Sequence, residues 1–409
     1  MTLALRPYQI EGRDFLAARR FALLADEMRV GKTPQAILAA RHSGLQIILV
    51  VCPAIAVAQW KQEFDRWWPG HELEGAVFDV MSYDKAREHD FSGDTYDVAI
   101  IDECHFAKNP QAQRTKAVFG KGGIGWHAKR IWCLSGTPAT KHAGELWPML
   151  RAFGTTALSY TDFTRRYCDF DWAQRIVGMK QKMIPELKAL LAKIMLRRTR
   201  KQVAPEMPDI AFEFLAVDPV SRADLKYVKS TMTDAEIESY IDKQGQGTWD
   251  VSDRCEVALA KALPLVEEIA ACIERGDYKQ TVVFAWHRDA IVAVGAGLRA
   301  RGISCELLMG GSADGARQWV QREFRDGHIQ VIGAQIIAAG TAIDLSAASH
   351  GYFLELDWVP GNNVQAANRL VSMDKDEPVT FDICTWPGSV DDRVQRILLR
   401  RARELKEMV

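Results

Sequence analysis

The tripeptide Gly31-Lys32-Thr33 constrains this chain more than any other feature. A glycine lets the backbone come close to an anion, and the N–H groups of a helix that begins here point at its oxygens. Lys32 would reach the β- and γ-phosphates of a nucleotide, and the Thr33 hydroxyl would bind Mg²⁺. We expect a short helical segment before this loop and a helix over 34–41 after it. Asp26 stands where the complete motif has its first glycine, so the tripeptide alone is a weak signal.

A pair of carboxylates follows an apolar run about 70 residues later. The run over 96–101 predicts a strand, and Asp102-Glu103-Cys104-His105 comes directly after it. Because neighbouring side chains on a strand alternate in direction, Asp102 and Glu103 point to different sides. Asp102 can bind Mg²⁺ while Glu103 aligns and polarises an attacking water. A chance pair at this spacing is the less favoured interpretation.

Alternating strands and helices predict an α/β fold with two parallel-sheet lobes. The first lobe spans 1–205, a helical connecting segment spans 206–250, and the second lobe spans 251–409. The strands expected in the first lobe are at 46–53, 78–83, 96–101 and 130–134. Those expected in the second lobe are at 281–286, 329–335, 351–356 and 379–385, followed by a last helix at 391–408.

Composition limits the class of protein. With 409 residues, 48% of them hydrophobic, the chain can bury a substantial core. The net charge is −1, so any nucleic-acid contact must come from local patches. The eight cysteines form no C-x-x-C pair, as expected for free thiols in a reducing cytoplasm. The longest apolar run, 47–58, is too short to cross a bilayer, so we expect no membrane partner and a location in a bacterial or phage-infected host cytoplasm.

Taken in order, the motifs resemble those of superfamily-two helicase-type motors, and within them the Swi/Snf-type double-stranded DNA translocases. The resemblance covers nearly the whole chain, and the order and spacing of the motifs are more specific than any one of them. In the first lobe it rests on Leu5-Arg6-Pro7-Tyr8-Gln9, 26–33, 102–105, Ser135-Gly136-Thr137-Pro138 and Met195-Leu196-Arg197-Arg198. In the second lobe it rests on 282–288, which is similar to annealing-helicase-like members, and on 338–345 and 365–369.

The resemblance implies two RecA-like lobes that hydrolyse ATP between them with Mg²⁺ as cofactor. The implied catalytic residues are Lys32, Asp102, Glu103 as general base, and Arg369 from the second lobe. The implied metal ligands are Thr33 and Asp102. Gln9 would read adenine, because its amide can bond both donor and acceptor edges. The other implied nucleotide contacts are Arg6, Arg29, Gly31, Lys32, Thr33, Gly340 and Asp344.

DNA is the implied partner, either duplex or branched and without sequence preference. Contacts to phosphates position a protein on DNA but do not read the bases. The implied DNA contacts are Pro53, Gln59, Trp60, Ser82, Tyr83, Lys108, Asn109, Thr137, Trp286, His287 and Thr341. The chain has the motor motifs without appended reader domains, which suggests a phage or mobile-element protein that a protein partner directs to its target.

Three positions depart from the family pattern. Arg29 and Ala342 replace glycines, and Ser372 replaces a second arginine that normally follows Arg369. We expect slow, DNA-stimulated ATP hydrolysis, in which Arg369, Lys375 or Arg29 supplies the positive charge. The alternative is a nucleotide-dependent DNA-binding clamp or switch with weak or no hydrolysis, and a third hypothesis is an RNA-directed motor. ATPase assays with DNA and with RNA distinguish the three.

Overall fold

Parallel strands dominate the structure, a computed structural model that describes residues 4–172, 174–206, 209–217, 233–242, 251–311, 313–339, 343–372, 375 and 377–408. The chain divides into a first unit, Met1–Pro205 with Leu405–Val409, and a second unit, Glu206–Glu404. No helix in the described ranges is long and apolar enough to cross a membrane. Each unit contains a sheet of six strands.

The sheet of the first unit has the strand order β3-β2-β4-β5-β1-β8, and every neighbouring pair is parallel. Its strands are β1 (Phe21–Leu24), β2 (Ile47–Cys52), β3 (Val77–Ser82), β4 (Val98–Asp102), β5 (Ile131–Leu134) and β8 (Met195–Leu196). The central strands β2, β4 and β5 are continuous apolar runs because helices cover both faces of a parallel sheet. A short antiparallel hairpin, β6 (Cys168–Phe170) with β7 (Ile176–Met179), lies outside this sheet.

Ten α-helices accompany these strands in the described part of the first unit. They are α1 (Pro7–Ala17), α2 (Lys32–His42), α3 (Val57–Trp67), α4 (Tyr83–Glu88), α5 (Gln113–Phe119), α6 (Ile124–His127), α7 (Trp147–Ala152), α8 (Tyr160–Tyr167), α9 (Ile184–Leu191) and α10 (Arg200–Val203). A 3₁₀ turn at Cys104–Ala107 follows β4. The core of the unit forms around Leu49, Ile101 and Cys133 of the sheet and Phe163 of α8.

The segment directly before the Gly31-Lys32-Thr33 loop differs from the prediction. The sequence predicted a short helical segment before the loop and no strand between the two, but Phe21–Leu24 forms β1, which pairs with β5 on one side and β8 on the other. Four apolar residues are too few for periodicity to separate a buried strand from a helix. The helix predicted upstream is α1, which ends at Ala17.

The second sheet has the order β11-β12-β10-β13-β14-β9, and all of its pairs are parallel. The strands are β9 (Ile210–Ala216), β10 (Thr281–Ala285), β11 (Cys305–Leu308), β12 (Val331–Gln335), β13 (His350–Phe353) and β14 (Val379–Thr385). The helices are α11 (Asp234–Asp242), α12 (Val251–Arg275), α13 (Arg288–Ala300), α14 (Asp314–Arg325), α15 (Ile336–Ala339), α16 (Pro360–Ala367) and α17 (Val390–Met408). The predicted α/β class with two parallel-sheet lobes is confirmed.

Two strands of the second sheet were missing from the sequence prediction. One is β11, and the other is β9, which lies within the interval 206–250 predicted as a helical connecting segment. β9 pairs with β14 over its whole length, from Ile210 opposite Val379 to Ala216 opposite Thr385. Most of β9 is exposed or half-buried because it forms the edge of the sheet, so it lacks the continuous apolar run of a central strand. The helix α11 does lie in that interval.

Candidate functional site

Three loops meet at one edge of the first sheet because they leave adjacent strands in the order β4-β5-β1. Leu134, the last residue of β5, pairs with Leu24 of β1 and with Asp102 of β4. The loop after β1 ends at Lys32, the first residue of α2, while the loop after β4 carries Glu103 and the loop after β5 carries Ser135. Ligands of open α/β sheets bind at the carboxyl ends of strands, so the fold brings these three predicted loops to the expected edge.

The loop before α2 has the backbone geometry of a phosphate cradle. Gly31 adopts φ +76°, and a Cβ atom there would lie 2.4 Å from the side-chain nitrogen of Gln9. No side chain caps the N terminus of α2, so its first N–H groups can bind anionic oxygens. Arg29 adopts φ +69°, a left-handed conformation, at the position where the family pattern has a glycine. The substitution therefore keeps the backbone shape that the glycine would have allowed.

The Lys32 ammonium group lies inside this loop. Its Nζ donates to the backbone oxygens of Asp26 at 2.9 Å and Glu27 at 3.1 Å. Burial lowers the pKa of Lys32, while the nearby carboxylates of Glu103, Asp26 and Asp102 act in the opposite direction. The loop after β5 packs closely here, since a Cβ atom on Gly136 would lie 3.4 Å from Lys32 Nζ. A cation so placed can neutralise phosphate oxygens that enter the loop.

Asp102 is held by two hydrogen bonds at the end of β4. The indole N–H of Trp60 donates to its Oδ2 at 2.8 Å, and the backbone N–H of Glu103 donates to its Oδ1 at 3.0 Å. Burial and the charge of Glu103 together raise the pKa of Asp102 to about 6, against the opposing effect of the Trp60 hydrogen bond. A buried carboxylate with a raised pKa gains most from a nearby cation, which fits the predicted role in metal binding.

Glu103 is positioned by its backbone and by the loop after β5. Its φ is +48°, an uncommon conformation for a residue with a side chain, and such strain is found at functional sites. The Ser135 hydroxyl donates to Glu103 Oε2 at 3.3 Å. His105 Nδ1 lies 3.0 Å from Ser135 Oγ and 3.3 Å from the same carboxylate oxygen. Ser135 and His105 therefore orient the predicted general base, a role that the sequence did not assign to either.

Asp26, which replaces the first glycine of the complete motif, has a structural partner. It is fully buried, and Arg198 donates to its two carboxylate oxygens at 3.0 and 2.5 Å. Arg198 also donates to Gln35 Oε1 at 3.0 Å, and Gln35 donates to the Gly31 backbone oxygen at 3.0 Å. The end of the first unit thus braces the phosphate loop. The Arg197-Arg198 pair had been noted only as part of a motif, since sequence alone did not reveal its partners.

Gln9 lies beside the phosphate loop, as its predicted role requires. Its side chain is buried, its Oε1 accepts the backbone N–H of Arg6 at 2.9 Å, and its Nε2 donates to the Val30 backbone oxygen at 3.1 Å. The hydroxyl of Tyr8 donates to the same Val30 oxygen at 3.1 Å. These bonds attach α1 to the loop. The predicted adenine contacts of Gln9 and Arg6 stay predictions.

Four of the residues predicted to contact DNA are buried in the first unit: Pro53, Trp60, Ser82 and Tyr83. The prediction is wrong for the side chains of Trp60 and Tyr83. The Tyr83 hydroxyl donates to the backbone oxygens of Asp102 at 2.8 Å and Glu103 at 3.2 Å, so both aromatic residues support the carboxylate loop instead. Ser82 accepts the Lys85 N–H at 3.2 Å as the cap of α4. Tertiary packing buried these residues, and their motif positions gave no sign of it.

Other predicted DNA contacts of the first unit are more accessible. Gln59 and Asn109 are exposed, and Thr137 is half-buried. The Lys108 side chain is 27% exposed, and its ammonium lies 3.0 Å from the buried carboxylate of Glu145. Its charge is therefore already paired, which weakens its case as a phosphate contact. The accessible residues stay predictions.

In the second unit, the predicted site residues are spread over several loops. His287 binds Glu355 through its ring Nδ1 at 2.7 Å and its backbone N–H at 2.9 Å, and Trp286 beside it is half-buried. Asp344 is exposed, and Arg369 is half-buried in the 3₁₀ turn Asn368–Leu370 that follows α16. Gly340, Thr341 and the departure Ala342 lie outside the described residues.

Lys375, one candidate for the missing positive charge, is held within the second unit. Its Nζ donates to the backbone oxygens of Ser346 at 2.9 Å and Leu370 at 3.4 Å, and also to that of Ala348. Burial lowers the pKa of Lys375 to about 8. An ammonium group that already satisfies three carbonyl oxygens must give up those bonds to swing toward a phosphate. The geometry therefore disfavours Lys375 as a substitute for the arginine.

The first unit fits a magnesium nucleotide better than a metal ion alone. No group of three or more His, Cys, Asp or Glu side chains that could hold a metal occurs among the residues the structure describes. Mg²⁺ commonly uses one or two carboxylates and takes its remaining ligands from substrate phosphates and water. Thr33, Asp102 and the uncapped N terminus of α2 suit that arrangement.

Comparison with protein families decides the identity of the chain. The model of the SNF2-related domain matches residues 8–100 and 78–252, and that of the helicase conserved C-terminal domain matches 261–373. The chain belongs to the SNF2-related family. The resemblance to a superfamily-two, Swi/Snf-type motor is thereby confirmed. The SNF2-related match includes the phosphate loop and the Asp102-Glu103 pair, which the structure brings to one edge of the sheet.

Two curated relatives of this SNF2-related chain are much longer than the region they share with it. It is 28% identical over 424 residues to the SWI/SNF-related matrix-associated actin-dependent regulator of chromatin subfamily A-like protein 1 of Xenopus tropicalis, covering 98% of this chain and 44% of the relative. It is 26% identical over 441 residues to the DNA annealing helicase and endonuclease ZRANB3 of Bos taurus, covering 98% and 40%. The chain thus spans less than half the length of these relatives.

A solved structure shares the fold. The helicase domain of Hef from Pyrococcus furiosus aligns with a TM-score of 0.51 and 13% identity, covering 96% of this chain and 98% of that one. At this identity the likeness concerns the fold alone. Together with the two six-stranded parallel sheets, it confirms the predicted RecA-like lobes.

Proposed function

We propose that this SNF2-related chain is a DNA-stimulated ATPase that moves along DNA, duplex or branched, without reading its sequence. One observation carries the proposal: the loops after β1, β4 and β5 bring Lys32, Asp102 and Glu103 together at the carboxyl edge of a parallel sheet. These are the three functional groups that phosphoryl transfer to water requires, namely a phosphate-binding cation, a metal-binding carboxylate and a base.

Each of these residues has a separate role in the proposed hydrolysis of ATP. Bound Mg²⁺–ATP supplies the phosphoanhydride bond that is hydrolysed. Lys32 and the amides of the α2 N terminus bind its phosphate oxygens. Glu103 orients a water molecule and accepts its proton, while Ser135 and His105 keep its carboxylate in place. Asp102, fixed by Trp60, and Thr33 would hold the Mg²⁺ ion, which would neutralise charge on the phosphates.

Support for DNA as the partner comes from the family and from a relative. The ZRANB3 relative is named a DNA annealing helicase, and its similarity covers 98% of this chain. The net charge of −1 argues against broad electrostatic adhesion and favours contacts from a limited set of side chains and amides. The targeting protein partner expected from the sequence remains part of this proposal.

An ATPase assay with matched variants tests the catalytic assignment. Lys32→Ala should abolish ATP binding or hydrolysis, because the charge beside the phosphates is lost in a water-poor site. Glu103→Gln should keep ATP binding but stop turnover, since an amide cannot accept the proton. Glu63→Gln, on α3, where the side chain contacts Arg66 and Trp67, is the control and should behave as wild type. Wild-type turnover in Glu103→Gln would remove Glu103 from the role of base.

The partner and the alternative function are tested in the same assay. Duplex DNA should raise the hydrolysis rate more than RNA does, and DNA affinity should fall steeply with salt because phosphate contacts release counterions. Tight, ATP-dependent DNA binding without stimulated turnover would replace the motor with the nucleotide-dependent clamp. A larger stimulation by RNA would favour an RNA-directed motor.

A further inference from the structure

A β-hairpin of the first unit presents a tryptophan to solvent. The hairpin consists of β6 and β7, and Trp172 lies in the turn between them. Trp172 is 92% exposed, compared with 68% for Trp126 and 45% for Trp319. An exposed hydrophobic residue needs no explanation by itself. The bracing of this turn and the charges at the base of the hairpin are what assign it a role.

The turn that carries Trp172 is fixed by its neighbours. Arg175 donates to both carboxylate oxygens of Asp171, through its backbone N–H at 2.9 Å and its Nε at 2.8 Å. The backbone N–H of Asp171 donates to the Arg175 oxygen at 2.9 Å, and that of Gln174 donates to the Asp171 oxygen at 3.0 Å. These bonds close the turn without the Trp172 side chain. The exposed indole therefore directly follows Asp171, which these bonds hold in place.

The base of the hairpin is anchored in the unit. Cys168 is part of the buried core, and Phe170, Ile176 and Met179 pack against that core. At about 3.4 Å per residue, three strand residues place the tip roughly 10 Å from the base. The hairpin is thus short, with apolar residues at its base and a tryptophan at its tip.

Positively charged residues are concentrated near the base of this hairpin. Residues 160–193 contain seven Lys or Arg and four Asp or Glu, in a chain whose net charge is −1. Glu186 pairs with Arg166, both contacts at 2.7 Å, and Asp171 pairs with Arg175. Within the described ranges, no carboxylate forms an ion pair with three further cations in this segment: Arg165, Lys180 and Lys182. Arg165 precedes β6 by three residues, and Lys180 and Lys182 follow β7, so all three flank the open end of the hairpin. Lys180 Nζ also donates to the Arg165 backbone oxygen.

We propose that Trp172 stacks on an unpaired nucleobase of single-stranded DNA, while Arg165, Lys180 and Lys182 contact the phosphates of the same strand. The inference rests on the proposed function, because it assumes that DNA reaches this chain. In a duplex, neighbouring pairs cover the face of every base, so the indole can stack only where the strand is unpaired, as in the arm of a fork. Stacking tolerates any base and matches a protein without sequence preference.

Binding measurements with the whole chain test the stacking contact. Trp172→Ala should weaken binding of an oligothymidylate roughly tenfold, the loss typical of removing one stacked aromatic. Trp172→Phe should keep most of the affinity, and Trp126→Ala, which removes another exposed tryptophan, should change nothing. Blunt duplex binding and duplex-stimulated ATP hydrolysis should be unchanged in Trp172→Ala. Its thermal midpoint should equal that of wild type, because the lost side chain is exposed.

An abasic oligonucleotide isolates the base from the phosphates. Wild type should bind it as weakly as Trp172→Ala binds the intact strand, and Trp172→Ala should not distinguish the two strands. Equal affinity of wild type and Trp172→Ala for oligothymidylate overturns the inference, as does an equal loss on blunt duplex. If wild type binds duplex DNA and Trp172→Ala binds every DNA with the same affinity as wild type, the stacking inference fails and the proposed function stands. If wild type binds no DNA and no DNA stimulates hydrolysis, the proposed function fails with it.

Discussion

At the scale of single residues, Trp60 shows how a motif position can mislead. Its indole was predicted to lie against DNA, yet it is buried and donates to Asp102. That hydrogen bond lowers the pKa of Asp102, whereas burial and the charge of Glu103 raise it to about 6. Trp60 therefore helps keep the metal-binding carboxylate ionised near neutral pH.

Replacing Trp60 should change how Mg²⁺ binding depends on pH. Without metal, the folded-state pKa of Asp102, about 6, exceeds its ordinary 3.8, so ionisation opposes folding as the pH rises through this window. Mg²⁺ needs the ionised carboxylate, so its affinity should fall as the pH drops through about 6. Trp60→Phe removes the bond that lowers the pKa and should move this loss to higher pH. Nucleotide-dependent Mg²⁺ titrations between pH 5 and 8 measure the shift.

Trp67→Phe is the control for that measurement. Trp67 lies on the same helix and donates its indole N–H to Glu63 at 2.8 Å, away from Asp102. Trp67→Phe should therefore show the same pH dependence of Mg²⁺ binding as wild type. If Trp60→Phe and Trp67→Phe gave the same profile as wild type, Asp102 would not be the titrating ligand.

The buried pair of Asp26 and Arg198 should dominate the stability of the phosphate loop. Asp26→Asn leaves the guanidinium short of its buried counter-charge and should destabilise the first unit by about 3 kcal/mol. Asp14→Asn, which breaks the exposed pair with Arg13, should have little effect. Denaturant unfolding followed by a probe in the first unit compares the two variants. Equal stability of both would show that Glu11, 3.2 Å from Arg198, supplies the needed charge.

At the scale of elements, β9 belongs to the second sheet although it was predicted as part of a helical connection. Phe212 of β9 lies opposite Phe381 of β14, with ring centroids 5.9 Å apart and planes 24° apart. Phe214, two residues on, is 37% exposed and lies under Arg396 at 4.3 Å. Because residues two apart on a strand point to the same face, the two phenylalanines share one face of β9 and differ in exposure and in their neighbours.

Phe212→Ala should weaken the attachment of β9 to β14. Removing a half-buried ring stacked on an aromatic neighbour should lower the local opening free energy by about 2 kcal/mol. Phe214→Ala removes a more exposed ring and leaves the stack of Phe212 on Phe381 intact, so it should cost much less. Native-state hydrogen exchange of the β14 amides reads both effects, since those amides report the pairing with the edge strand. Unchanged β14 protection in Phe212→Ala would mean that backbone pairing alone holds β9.

At the scale of the whole molecule, hydrolysis needs positive charge on the transferring phosphoryl group beyond what Lys32 supplies. Such an arginine is worth roughly 10³–10⁵ in rate in related chemistry. Ser372 stands where the family has that residue, and Lys375 is already bonded to backbone oxygens. We therefore expect slow ATP hydrolysis, in which Arg369 or Arg29 supplies the positive charge beside the transferring phosphoryl group.

Restoring the arginine should speed the enzyme. Ser372→Arg should raise kcat at least tenfold with ATP affinity little changed, equivalent to about 1.4 kcal/mol of transition-state stabilisation. Ser372→Lys is the matched control, because it adds charge without the two-pronged geometry of a guanidinium. Steady-state kinetics with saturating DNA provide the comparison. An unchanged kcat in Ser372→Arg, together with an inactive Arg29→Gly, would assign the role to Arg29.

The sequence by itself determined the features that depend on local order. Apolar runs predicted most central strands, and the spacing between Gly31-Lys32-Thr33 and Asp102-Glu103 indicated that the two belong to one nucleotide site. The structure brings both motifs to one edge of the sheet, where parallel strands end. The sequence did not predict the strands Phe21–Leu24 and β9, because a short or half-exposed strand has no distinctive local pattern.

Only the tertiary structure decided which side chains support the site. Asp26 and Arg198 are 172 residues apart, and Trp60 and Asp102 are 42 apart. Local periodicity carries no information on such partners. The order of strands in the sheet determines which residues become partners. It places β8 beside β1 and so brings Arg198 to the phosphate loop. Burial then determines their roles, since a charge or indole N–H removed from water must bind the partner that the fold supplies.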